Sequence, residues 1–162
     1  MPGSNARLAR WQAWKGGVRL KSTVNRVQSS WPLSERHQHF ELGRMLQCAG
    51  DLDAFAPRKP QAGWWECNLA DRSLIWSDGV YDLFGFERGS TVTREQALVR
   101  YTEHSRAALE RLRADAVRHG LGFTLDAELK PFDGASRWVR IVAAPDLSDG
   151  KVVQLHGLKF AI

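Results

Sequence analysis

Three runs with period-two alternation, joined by two Asp-Gly steps, occupy the last third of the chain, and few folds accommodate that arrangement. Phe123 to Leu129 alternates apolar and polar side chains. Phe132-Asp133-Gly134 follows, then Arg137 to Ala144, Asp149-Gly150, and Val152 to Phe160. Alternation places successive side chains on opposite faces of a strand. Asp-Gly between such runs signals a hairpin, because both residues tolerate positive φ. The sequence therefore predicts an antiparallel meander of three long strands, with Val139 and Ile141 on one face and Trp138 and Arg140 on the other.

A shorter unit precedes it. In Gly63–Phe86, GWWECNLADRSLIWSDGVYDLFGF, Trp65, Cys67 and Leu69 alternate with Trp64, Glu66 and Asn68. That gives a strand with one mostly apolar face. Ala70-Asp71-Arg72 has turn composition, and Ser73–Trp76 returns as a second strand. Ser77 and Asp78 are candidate N-caps, whose short side-chain oxygens can accept from free amides of a first helical turn. Val80, Tyr81, Leu83 and Phe84 give the helix an apolar face, and Gly85 can close it in the left-handed conformation.

Between the two units lie helices. Thr93 with Gln96 has capping-box spacing and starts one that runs to about Arg100. Ser105 leads a longer one to about His119, with Ala108, Leu109, Leu112 and Ala116 as its apolar stripe and Gly120 as its stop. Two strands, three short helices and three strands make an α+β domain with a five-stranded antiparallel sheet and helices on one face. Core candidates are Trp76, Tyr81, Leu83, Phe84, Leu109, Leu112, Leu125, Leu129, Val139, Ile141, Val153 and Leu155.

The charge is uneven. Residues 1–60 carry ten Lys/Arg against four Asp/Glu, a net of +6, whereas residues 61–162 carry thirteen against fourteen, a net of −1. Residues 1–30 read as a basic, flexible tail in which Trp11 and Trp14 sit among Arg7, Arg10, Lys15, Arg19, Lys21 and Arg26. Such a tail suits an anionic membrane surface or nucleic acid. Residues 31–60 read as an N-terminal helical extension and a hinge. Leu42, Met45, Leu46, Ala49 and Leu52 recur at helical spacing, and Pro57 and Pro60 flank the hinge. No run approaches the ~18–20 apolar residues of a membrane span, and no signal-peptide core is present, so a cytoplasmic location is expected.

With these pieces in order, residues 63–161 resemble a PAS domain of the bacterial sensory type. The resemblance rests on GWWECNL, LIWSDGVYDLFGF, the helix from Ser105-Arg106, FTLDAELKPFDGASRWVRI and DGKVVQLHGLKFAI. It implies a curved antiparallel sheet whose concave face the helices cover. It also implies a module that senses a small molecule or mediates protein contacts, passing a signal to output supplied by other chains. The usual Asp-(Ile/Val)-Thr exit is absent after Phe160-Ala161-Ile162, so a stand-alone PAS protein is expected.

Cofactors and chemistry follow from what the residues offer. The cysteine-bearing helix of flavin photosensors is absent: Cys67 belongs to a strand and Cys48 to the extension. His104 and His119 flank the longest helix at poor positions for an axial haem ligand. Neither a flavin–thiol adduct nor haem is expected, and the cofactor is left unknown. His37 and His39 cannot share a metal from one helix. Glu66, Asp71, Asp78 and Asp82 read as turn and helix acids, so no catalytic residue, metal site or enzyme activity is expected. If a ligand binds, Trp76, Tyr81, Phe84, Leu109, Leu112, Trp138 and His156 are its candidate neighbours. A homodimer is expected through Leu42, Met45, Leu46, Ala49 and Leu52 and the outer sheet face, where Trp65 and Trp138 would otherwise stay wet. The same helix laid across that face in cis is the rival arrangement.

Overall fold

A computed structural model of the chain describes residues 25–41, 62–132 and 134–162. The tail basic residues before 25 and the helical stripe Leu42, Met45, Leu46, Ala49 and Leu52 lie outside the described residues. Strands are β1 (Gln28–Trp31), β2 (Ala62–Asn68), β3 (Leu74–Trp76), β4 (Gly122–Leu129), β5 (Arg137–Ser148) and β6 (Lys151–Ala161). A 3-10 turn at Leu33–Glu35 continues into helical residues 36–41 (α1). The other helices are α2 (Asp78–Phe84), α3 (Arg94–Leu98) and α4 (Glu103–His119).

The sheet is antiparallel throughout, in the order β1-β4-β5-β6-β2-β3. The five expected strands are present, and Gln28–Trp31 adds a sixth at the edge beside β4. This edge strand is held by more than its ladder. Asp126 accepts from the Val27 amide (2.9 Å), Val27 C=O accepts from the Asp126 amide (2.7 Å), and Trp31 Nε1 donates to Thr124 Oγ1 (3.1 Å). Gly122 has no side chain where the Trp31 ring lies against it, and a Cβ there would collide with the indole.

Local chemistry explains most boundaries. Asp149 and Gly150 both have positive φ (51° and 74°), the geometry a two-residue hairpin loop needs. Thr93 and Gln96 form the reciprocal capping box, at 3.2 and 2.8 Å. Ser77 sits at the N-cap of α2, yet its hydroxyl accepts from the Trp64 amide (3.0 Å) and ties the helix entry to β2 instead. The longest helix begins two residues before Ser105, with Thr102 as cap. The Ser105 hydroxyl accepts from the Glu128 amide (2.8 Å), stitching α4 to β4.

Helices α2, α3 and α4 pack on one sheet face. That core contains Val80, Leu83 and Phe84 of α2, Leu112 of α4, and Leu125, Leu129, Val139, Ile141 and Leu155 of the sheet. Tyr81 and Leu109 are partly buried against it. Val153 departs from expectation. A register shift after Asp146 pairs Leu147 with Val152, and this bulge turns Val152 toward the core and leaves Val153 exposed. The opposite face carries a smaller cluster of Trp31, Val142, Ala144 and Phe160, covered by Leu33 and Phe40 from the N-terminal segment.

Candidate functional site

A cavity of about 60 Å³ lies between the helices and the sheet. Its floor is Phe123, Ile141, Leu155 and Lys159 from β4, β5 and β6. Trp65, Cys67, Leu74 and Trp76 of β2 and β3 form one wall. Ala97, Leu98, Tyr101, Leu109, Arg94 and Arg113 close it from the helical side. Gly157 sets the geometry here, because a side chain at that position would run into the Val142 carbonyl of the neighbouring strand. Strand alternation therefore aims Leu155 and Lys159 inward while Phe160 faces the other cluster.

Lys159 is the unusual member of this set. It is only 8% exposed. Aromatic rings enclose its ammonium, with Nζ 4.7 Å from the Phe84 centroid, 4.9 Å from Trp65, 5.7 Å from Trp76 and 6.0 Å from Tyr101. No carboxylate among the described residues lines the cavity. Burial pushes the amine down to about 7, with a weaker opposing influence from Cys67. Ring quadrupoles attract a cation but do not replace its hydration as a carboxylate would. Three further polar groups belong to lining residues. Trp65 Nε1, Trp76 Nε1 and Tyr101 OH are buried with no hydrogen-bond partner among the described residues, and burial pushes the Tyr101 phenol up. Arg94 is buried beside the cavity and is paired with Glu110.

Similar architecture occurs in solved structures. The N-terminal domain of a diguanylate cyclase with PAS/PAC sensor from Marinobacter aquaeolei superposes with a TM-score of 0.56 at 22% identity, covering 62% of this chain and 94% of that one. A PAS domain from Colwellia psychrerythraea gives 0.52 at 15% identity, over 75% and 97%. A sensory box histidine kinase/response regulator from Burkholderia thailandensis gives 0.54 at 15% identity, over 63% and 77%. The fold is that of a PAS domain. No protein-family model and no curated protein matches the chain.

Within this PAS fold the expected pocket residues divide between two faces. Trp76 and Leu109 line the cavity, and Phe84 lies against the Lys159 ammonium. Leu112 is buried in the same core, and Tyr81 meets Trp76 edge-on at 5.3 Å. Trp138 and His156 fall on the opposite face. Val139 and Ile141, and likewise Leu155, take the inward positions, so strand alternation turns their neighbours outward. Arg26 lies 3.8 Å above the Trp138 ring. His156 Nδ1 is 2.8 Å from Asp146 Oδ2, and its ring is 5.7 Å from Phe40. Trp65 is the reverse case. It is buried inside, and Trp64 is the exposed member of the pair (48%).

Lys159 is absent from the sequence-derived set. Its signal was its position: it lies four residues beyond Leu155, and even spacing along a strand keeps a side chain on the same face. The outer face of the sheet is partly covered in cis. Trp31 stacks on His39 (4.3 Å, 9°), and Arg36 reaches Asp146 at 3.8 Å. Among the described residues no helix is long and apolar enough to cross a membrane.

Proposed function

We propose that this chain is a non-enzymatic PAS sensory module, acting in the cytoplasm, in which a small molecule held in the cavity alters contacts with other signalling proteins. The observation that carries this reading is Lys159, a buried ammonium facing a cavity that no carboxylate lines among the described residues. Folding such a group into an apolar interior is costly, and a ligand that interacts with it would bias the structure around it. Leu74, Leu98 and Arg113 line the cavity and are only half-buried, so occupancy can reach the surface through short contacts.

Mass spectrometry of the full chain under native conditions tests the reading. The expected result is a mass above that of the polypeptide, lost on denaturation, with Leu109→Phe removing it by filling the cavity. A polypeptide-only mass from every preparation, unchanged by candidate small molecules, contradicts it.

We also infer that the chain pairs with itself through the outer sheet face. Trp64 and the edge residue Ile75 remain exposed there (48% and 54%), and exposed apolar patches mark interaction surfaces. Sedimentation at low micromolar concentration should give twice the 18.3 kDa chain mass. A monomer would place transmission in contacts with other proteins. The excess positive charge before residue 60 supports an alternative, a regulator anchored to nucleic acid or anionic membrane. Salt-dependent binding that is lost without residues 1–30 would favour it.

A further inference from the structure

We propose that the cavity is a site for a short-chain carboxylate, with its carboxylate on Lys159 Nζ and its apolar end against Leu74, Leu98 and Leu109. This rests on the reading of the cavity as the sensory site and names the class of molecule it takes.

Four observations converge on an anion with a small apolar tail. First, Lys159 has no hydrogen bond or ion pair among the described residues, and four aromatic rings have their centroids within 6.0 Å of its Nζ. A carboxylate would supply the missing partner, and a charge-assisted bond in a low-dielectric site is among the stronger polar contacts. Second, among the described residues the other charged lining groups are Arg94 and Arg113, with no acid. Arg94 is already neutralised by Glu110, and a cationic ligand would meet Lys159 and Arg113 unopposed. Third, Trp65 Nε1, Trp76 Nε1 and Tyr101 OH, all on lining residues, are buried hydrogen-bond donors without acceptors among the described residues. Buried donors without partners call for an explanation, and an acceptor-only ligand is one. Fourth, about 60 Å³ holds about four to six non-hydrogen atoms, counting roughly 10–15 Å³ for each water-sized unit. Acetate, propionate and butyrate fit that size; an aromatic acid does not.

The assignment carries a pH signature. An ammonium is required for the ion pair, and burial holds the free amine near 7. Carboxylate affinity should therefore be full below that value and fall as pH rises through it. Between pH 6 and pH 8.5 the fall should be roughly tenfold or more, from the change in protonated fraction alone. The groups facing Lys159 from the surrounding elements are Cys67 on β2, Arg94 on α3, Tyr101 after it, and Arg113 on α4. Arginine stays cationic throughout this range, and burial moves the Tyr101 phenol upward, away from it. A Cys67→Ser variant keeping the same profile assigns the change to the amine.

The test is calorimetric titration of the full chain with acetate, propionate, butyrate and the neutral propionamide, at constant ionic strength in chloride. Propionate or butyrate should bind and propionamide should not. Lys159→Met should abolish carboxylate binding while keeping the protein folded, since it removes an unpaired buried charge and retains the stem. Equal binding of propionate and propionamide, or unchanged propionate binding by Lys159→Met, overturns the carboxylate assignment and leaves a neutral-ligand cavity standing. Tighter binding of bicarbonate or nitrate than of propionate overturns it in favour of an inorganic anion. No binding of any carboxylate also overturns it. The sensory reading then survives if native mass spectra show another retained molecule, and fails with it if they do not.

Discussion

The Lys159 ammonium sits 4.9 Å from the centroid of the Trp65 ring, on a strand position that in a half-buried sheet is normally filled by an aliphatic side chain. Both residues line the same cavity, and that pairing links the stability of the domain to its proposed use. An amine near 7 in the folded state, against ~10.4 for an unperturbed lysine, binds fewer protons folded than unfolded between those two values. Stability should therefore rise with pH across that interval and be flat, at its lower level, below about 7. The gain is expected to reach a few kcal/mol, since each unit of difference corresponds to about 1.4 kcal/mol. Urea unfolding at several pH values measures it, and Lys159→Met should flatten the dependence and raise the midpoint at pH 6. A wild-type profile that falls with pH above 7 would place the amine in contact with an anion already.

Asp126 should be a fastener for the edge strand. Its carboxylate is almost fully buried and accepts twice from Arg140, at 2.7 and 2.9 Å, and also from the Val27 amide. Asp126→Asn leaves Arg140 without its charge partner and weakens the anchor of β1. Loss of one such charged hydrogen-bond set costs roughly 1.5–3 kcal/mol. Amide exchange at Val27 and across Gln28–Trp31 should quicken more than exchange in β5 and β6.

Trp31 and Gly122 should behave as one unit. The indole occupies the place a Cβ at position 122 would take, and its ring is 3% exposed. Trp31→Ala is expected to cost about 3–5 kcal/mol, the usual range for deleting a buried aromatic ring. Gly122→Ala should displace the ring and mimic part of that loss. If the double variant is no worse than Trp31→Ala, the collision is confirmed as the sole cost at 122.

Arg88 provides a contrast. It donates to both oxygens of Asp82, at 2.8 and 2.6 Å, and holds that carboxyl below its ordinary value. Yet the guanidinium side chain is 60% exposed. Solvent-screened pairs contribute roughly 0–1 kcal/mol, so Arg88→Ala should leave the melting temperature nearly unchanged. A large drop would show that the loop after α2 is structurally coupled to the core.

Turn chemistry and helix caps were readable because they are local. Asp149-Gly150 and Thr93 with Gln96 encode their geometry within four residues. Burial required knowledge of register. Trp64 and Trp65 are both large and apolar, so sequence could support either facing, and only pairing of Trp65 with Gly157 beside Val142 fixes it. Val153 faces outward, against its period-two pattern, because one inserted residue reverses alternation locally. Gln28–Trp31 gave no pattern to read: Gln28, Ser29 and Ser30 have no apolar face, and the strand is specified by Asp126, Thr124 and Gly122, nearly a hundred residues away. Lys159 gives no core signal in the sequence because lysine normally marks the wet face of a strand. Trp138 and His156 suggest a site because they are large or titratable, but their alternation with the inward Val139 and Leu155 turns them outward.

The most direct test of the account follows the indole N–H signals of the full chain by nuclear magnetic resonance while propionate is added at pH 6. Shifts are expected to concentrate in Trp65 and Trp76, whose rings wall the cavity, with Trp138 and Trp31 on the other face unmoved and no shift in Lys159→Met. Unchanged Trp65 and Trp76 signals, or shifts centred on Trp138, would contradict it.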